Sequence, residues 1–138
     1  MNIRKVQAED LESIFKLTKL FATSFKIEKE LFEISFLNLL GDSSTQFLLA
    51  EVNDSVIGYC LGYDHYALFA NGRVAWVEEI FVVEEYRRKG VASSLMNEME
   101  KWARFRNAKL IALATRRAKD FYISLSYEDS ATYFRKIL

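Results

Sequence analysis

The sequence predicts an α/β fold: a mixed, mostly antiparallel sheet with helices on both faces. Three observations predict it. Two apolar runs, 46–52 and 56–63, flank the turn residues Asn53, Asp54 and Ser55 and mark an antiparallel hairpin. A strand pattern at 73–83, a helical pattern from Gly90 to about Phe105 and a buried strand at 108–115 follow in that order. Such a strand–helix–strand unit closes as a parallel crossover. Two more helical patterns precede the hairpin, and their apolar stripes need a sheet face to cover.

Taken in order, residues 3–7 form a short strand. Leu11, Ile14, Phe15, Thr18 and Phe21 recur at helical spacing over 9–21. Phe32, Phe36, Leu39 and Leu40 do the same over 28–40, and Gly41 is a stop signal. After the hairpin and the strand at 73–83, Val91, Leu95, Met99 and Trp102 line one helical face. Residues 116–125 form a short helix, and the segment from Tyr127 to Leu138 is expected as one or two strands. With no proline, repeat or linker, the 138 residues are expected to form one domain, 1–138.

Composition narrows the function classes. Apolar residues make up 51% of the chain, enough for a substantial core. Nineteen basic residues balance nineteen acidic ones, which argues against a general nucleic-acid binder. The single cysteine, Cys60, has no disulfide partner, and no Cys/His spacing suits zinc, so no metal is expected. Acidic residues interrupt the first fifteen positions, unlike a signal peptide. No apolar run approaches the ~20 residues of a membrane span. A cytoplasmic protein with no nucleic-acid or membrane partner is expected, and a homodimer is left open.

Charge is unevenly placed. Residues 1–83 hold 7 basic and 12 acidic side chains, whereas residues 84–138 hold 12 and 7. The later half therefore suits an anionic ligand. Within it, Arg87, Arg88 and Lys89 lead into Gly90 and then straight into a helix. The first N–H groups of a helix lack intrahelical partners and carry partial positive charge. A glycine lets the backbone come close to an anion there. Spacing alone fits a phosphate cradle and equally fits a tight turn with solvated cations. The GxxxxGK[ST] and GxGxxG phosphate loops are absent.

In this context Arg87-Arg88-Lys89-Gly90-Val91-Ala92 resembles the acyl-CoA loop of the GNAT family of N-acetyltransferases. That pattern is Arg or Gln, two residues, Gly, one residue, then Gly or Ala. The downstream stretch 115–129 resembles the family's Asn, two residues, Ala, three residues, Tyr, followed by a Gly-aromatic pair. Ala118, Tyr122 and Tyr127 fall in register. Thr115 stands where Asn is usual, Ser126 where Gly is usual, and Ala92 takes the second Gly position. The resemblance covers about residues 73–138, and the strand order fits the rest.

The resemblance implies a GNAT-like acyl-CoA N-acyltransferase fold and an N-acetyltransferase with acetyl-CoA as acyl-donor co-substrate. The donor would lie between strands 73–83 and 108–115. Backbone groups of Ile80, Phe81 and Val82 would pair with its pantetheine as an added strand does. Arg87 and the N–H groups of Arg88, Lys89, Gly90, Val91, Ala92 and Ser93 would hold the pyrophosphate, with Thr115 a further contact. A small-molecule or peptide primary amine would attack the thioester directly in a ternary complex. No Ser-His-Asp set is needed, and none is evident.

Two proton transfers remain. Tyr122 matches the family's tyrosine acid; otherwise it is a half-buried residue of an amphipathic helix. Glu78 and Glu79 precede the cofactor-pairing segment, and either carboxylate can accept the amine proton. Alternation turns only one toward substrate, and a bulge changes which. Glu79 is favoured; otherwise both are solvated strand residues. His65 is expected on an exposed loop, 62–72, over the acceptor cleft, with Tyr63, Tyr66 and Phe69 lining a pocket or packing on the sheet. Trp76 is expected in the core. The alternative function is a non-catalytic acyl-CoA-binding module, and a third class is a plain interaction domain.

Overall fold

A computed structural model describes residues 1–138. Its framework is a five-stranded sheet in chain order: β1 (Asn2–Lys5), β2 (Thr45–Val52), β3 (Ser55–Ala67), β4 (Gly72–Val82) and β5 (Ile111–Leu113). The first three pairings are antiparallel and only β4–β5 is parallel. The helices are α1 (Leu11–Phe21), α2 (Lys29–Leu40), α3 (Val91–Phe105) and α4 (Lys119–Ser124). The mixed, mostly antiparallel sheet is the one the sequence predicts. Its hairpin turns on Asn53 and Asp54, both at positive φ (49° and 65°), a geometry whose twist matches paired strands.

Alternation along β2 divides the core in two. Leu48 and Ala50 face α3 and α4, packing with Leu95, Met96, Met99 and Tyr122. Phe47 and Leu49 face α1 and α2, packing with Ile14, Leu17 and Phe36. Each face therefore has its own helical cover. Fully burying one such side chain contributes about 1.5–3 kcal/mol.

One buried ion pair ties the far end of β3 to α3. The Asp64 carboxylate is fully shielded and accepts two bonds from the Arg106 guanidinium, at 2.7 and 2.8 Å. This corrects the loop expected at 62–72: residues 64–67 pair with 72–75, extending β3 to Ala67. Gly62 and the charged Asp64 mask the strand pattern there, because strand formation depends on partners more than on intrinsic preference. His65 is thus an exposed strand residue, and Trp76 is half-buried rather than core.

The last expected strands are also corrected. Residues 125–138 form no strand, and Tyr133, Phe134, Ile137 and Leu138 stay exposed. The neighbouring β5 pairs over only three residues, giving little edge on which a further strand can build.

Both α3 and α4 end in a reversal that satisfies their last carbonyls. After α3, Ala108 N–H bonds Ala103 O and Asn107 N–H bonds Arg104 O, with Asn107 at φ 61°. After α4, Tyr127 N–H bonds Tyr122 O and Ser126 N–H bonds Ile123 O, with Ser126 at φ 72°. The left-handed position of this motif favours glycine, which explains why glycine is usual at the position Ser126 occupies. Ser126→Gly is expected to stabilise the fold by about 0.5–1 kcal/mol, since relief of left-handed strain exceeds the added chain entropy. A rise in the urea midpoint at constant slope checks this.

Candidate active site

The site forms where β4 outruns β5. Their pairing ends at Val77–Leu113, while β4 continues to Val82. Val83 N–H bonds Ile57 O on the β3 side, so by alternation Phe81 also points its backbone at β3. The contact geometry agrees: a Cβ on Gly58 would meet Phe81 O at 2.8 Å. Ile80 and Val82 then direct their backbone groups to the open side. There Arg87 Nε donates to Val82 O at 2.9 Å, and its guanidinium lies 5.4 Å from the Phe81 ring centre.

A bulge sets the facing of the two glutamates. Leu61 pairs with Glu79 but Gly62 pairs with Val77, so Glu78 is an extra residue in β4. Val77 and Glu79 consequently face opposite sides although two positions apart. Val77 joins the α3 core, and Glu79 turns toward α1 and α2. Glu78 is exposed and accepts a bond from Trp76 Nε1 at 2.6 Å.

Glu79 lines a cavity of about 450 Å³ between the sheet and the two N-terminal helices. Its Oε1 accepts a 2.7 Å bond from the Tyr59 hydroxyl, which itself lies 3.5 Å from Thr18 Oγ1. Burial holds the Glu79 carboxyl above its usual range, the charge of Glu78 adds to this, and the Tyr59 bond opposes it. Tyr59 escaped the sequence reading, and Thr18 entered it only as a helix-face residue. Tyr59 sits in an ordinary strand pattern, and only the β3–β4 register places it beside Glu79.

Tyr122 packs on the opposite sheet face, beside Cys60 in the α3 core. Burial pushes its phenol up to about 12, and its hydroxyl donates no hydrogen bond within the protein. Burial likewise pushes the Cys60 thiol up to about 12, far from the thiolate range a nucleophile needs. Thr115 is exposed beyond the end of β5, and its Oγ1 accepts the Ala118 N–H at 3.1 Å. Tyr127 is taken up structurally, donating to Glu100 at 2.8 Å.

The loop into α3 is open. The N–H groups from Arg88 to Ser93 donate no hydrogen bond within the protein. Arg88 is at φ 60° and Gly90 at φ 83°, and a Cβ built on Gly90 would meet nothing within 4 Å. Arg88 and Lys89 are exposed and have no acidic partner. Six free donors, open space over the glycine and two unpaired cations fit a diphosphate. His65 and Tyr66, by contrast, are not among the residues lining the Glu79 cavity.

A sheet splayed beside a donor-rich helix start defines an acyl-CoA-dependent transferase fold. Residues 9–126 match the Acetyltransferase (GNAT) family, and the chain belongs to that family. It is an acetyltransferase, and acetyl-CoA is the family's acyl donor. It is 25% identical to the uncharacterized N-acetyltransferase YhfO of Bacillus subtilis, over 96% of this chain and 93% of that one. A structure described as a transcriptional regulator from Bacillus halodurans superposes with a TM-score of 0.89 at 20% identity, covering 99% of both chains. That of AAC(6')-Iy in complex with the bisubstrate analogue CoA-S-monomethyl-acetylneamine superposes at 0.84 with 19% identity, covering 99% of this chain and 98% of that one. No helix is long and apolar enough to cross a membrane.

Proposed function

We propose that the protein transfers the acetyl group of acetyl-CoA to a primary amine by direct attack in a ternary complex. The observation that supports this is a carboxylate and a phenol on opposite sheet faces, both packed about β4. Glu79 lies at a cavity on one side, and the unpartnered Tyr122 hydroxyl lies on the other. Acetyl-CoA supplies an activated thioester. The loop donors of residues 88–93, with Arg88 and Lys89, would hold its diphosphate, and the outward backbone of Ile80 and the Val82 N–H its pantetheine, the Val82 carbonyl being taken by Arg87. Phe81 contributes its ring beneath Arg87 and not its backbone. Glu79 takes the proton of the entering amine, with Tyr59 positioning the carboxylate. Tyr122 gives a proton to the departing sulfur. The bisubstrate ligand of AAC(6')-Iy joins CoA and an acetylated amine in one molecule, consistent with both lying in one site.

The test is thiol release from acetyl-CoA across a panel of primary amines. Turnover with at least one amine supports transfer. Tight CoA binding with no turnover on any amine returns the chain to a binding module.

Tyr122→Phe separates chemistry from packing. It keeps the ring and its contacts with Phe121 and Tyr127. General acids contribute on the order of 10²–10⁴-fold, and a thiolate already leaves fairly well, so a fall in kcat near 10²-fold is expected. CoA affinity and thermal stability should hardly move. Unchanged kcat, measured where chemistry limits the rate, would leave Tyr122 as a packing residue.

A further inference from the structure

We infer that the acceptor is a primary amine carried on an apolar body, aryl or alkyl, with a single positive charge. This rests on the transferase reading above and goes on to name the substrate class. The observation is the make-up of the cavity that Glu79 lines. Ten of its fifteen lining residues are hydrophobic, and Phe25, Phe32, Phe36 and Phe47 supply aromatic walls.

Only three lining residues are charged: Lys26, Glu28 and Glu79. Lys26 and Glu28 are exposed and opposite in sign, so the cavity's charges sum to that of one carboxylate, which matches one ammonium. Glu79 is also the only one of the three tied into the sheet, through its bond from Tyr59. A polyamine or amino sugar would bring further ammonium and hydroxyl groups against phenyl rings. Each polar group left there without a partner weakens binding. An apolar amine meets no such cost and gains from the same walls. The volume, about 450 Å³, lies within the range of sites for compact small molecules. Phe25 and Leu31 line the cavity and are largely exposed, so they stand where an acceptor enters.

The experiment compares kcat/KM for phenethylamine and hexylamine with that for spermidine and neamine at saturating acetyl-CoA. The apolar amines are expected to lead by about tenfold or more, the scale on which hydrophobic pockets discriminate. Phe25→Glu, at an exposed position where folding is not at stake, should shrink that ratio while CoA affinity stays constant. A ratio at or below one overturns the inference but leaves acetyl transfer standing. So does a ratio unmoved by both Phe25→Glu and Leu31→Glu. Absence of thiol release from every amine, with acetyl-CoA bound, overturns the transferase reading itself and this inference with it.

Discussion

Gly90→Asp is expected to abolish useful acetyl-CoA binding while leaving the fold intact. Gly90 sits at φ 83°, and the space where its side chain would project is empty. An aspartate there enters that space with a negative charge, in the same loop as the unpaired N–H groups of residues 88–93. Its carboxylate both repels a diphosphate and competes with it for donors. Hydrogen bonds to a charged group contribute about 1.5–3 kcal/mol each. Loss of one or two, with repulsion added, predicts a fall in affinity of roughly 100-fold or more. Calorimetry measures it. Gly90→Ala is the control: it carries the same left-handed strain of about 1–2 kcal/mol without the charge. If the two variants bind acetyl-CoA equally well, strain alone accounts for the effect. If Gly90→Asp binds as tightly as the parent, the diphosphate lies elsewhere.

That loop was legible because its signals are local. Three cations, a glycine and the periodicity of Val91, Leu95 and Met99 lie within one short stretch, and helix starts are governed by short-range chemistry. The hairpin was legible for the same reason, since Asn53 and Asp54 suit the left-handed turn they form. The β4 bulge left no such mark. The segment Val77-Glu78-Glu79-Ile80 alternates no differently with or without an extra residue, and only the register against Leu61 and Gly62 reveals it. The glutamate that faces the cavity is therefore a property of pairing between strands. The C-terminal strands failed in the opposite way. The stretch 131–138 has strand-like composition, but composition does not create an edge to pair with, and β5 is three residues long. Ser126 lies between these cases: its departure from glycine was visible, and the turn forms anyway at φ 72°.

The second large effect is expected at Glu79. Burial raises its carboxyl above the usual 4.5, and Tyr59 partly counters this by bonding the ionised form. A base must be ionised to accept a proton, so kcat/KM should rise with pH through the raised value, giving an acid limb. Glu79→Gln keeps the shape and removes the proton acceptor. A fall in kcat/KM on the order of 10²–10⁴-fold is expected, together with loss of that limb. Glu78→Gln should do little to the rate, because Glu78 is exposed and held by Trp76. It should move the limb slightly down, since its negative charge is one cause of the raised value. Tyr59→Phe should move the limb up, because the bond it removes is the one that favours the carboxylate. Stability must change in the opposite sense to activity. Between 4.5 and the raised folded value, the folded state holds the proton more firmly than the unfolded chain, so stability falls as pH rises through that window. Glu79→Gln carries no charge to bury and should be at least as stable as the parent at pH 7. A variant that is inactive but no less stable, and without the acid limb, identifies a base. A variant whose activity and stability fall together, with the limb unchanged, identifies a structural carboxylate, and the base then lies in water or in the acceptor itself.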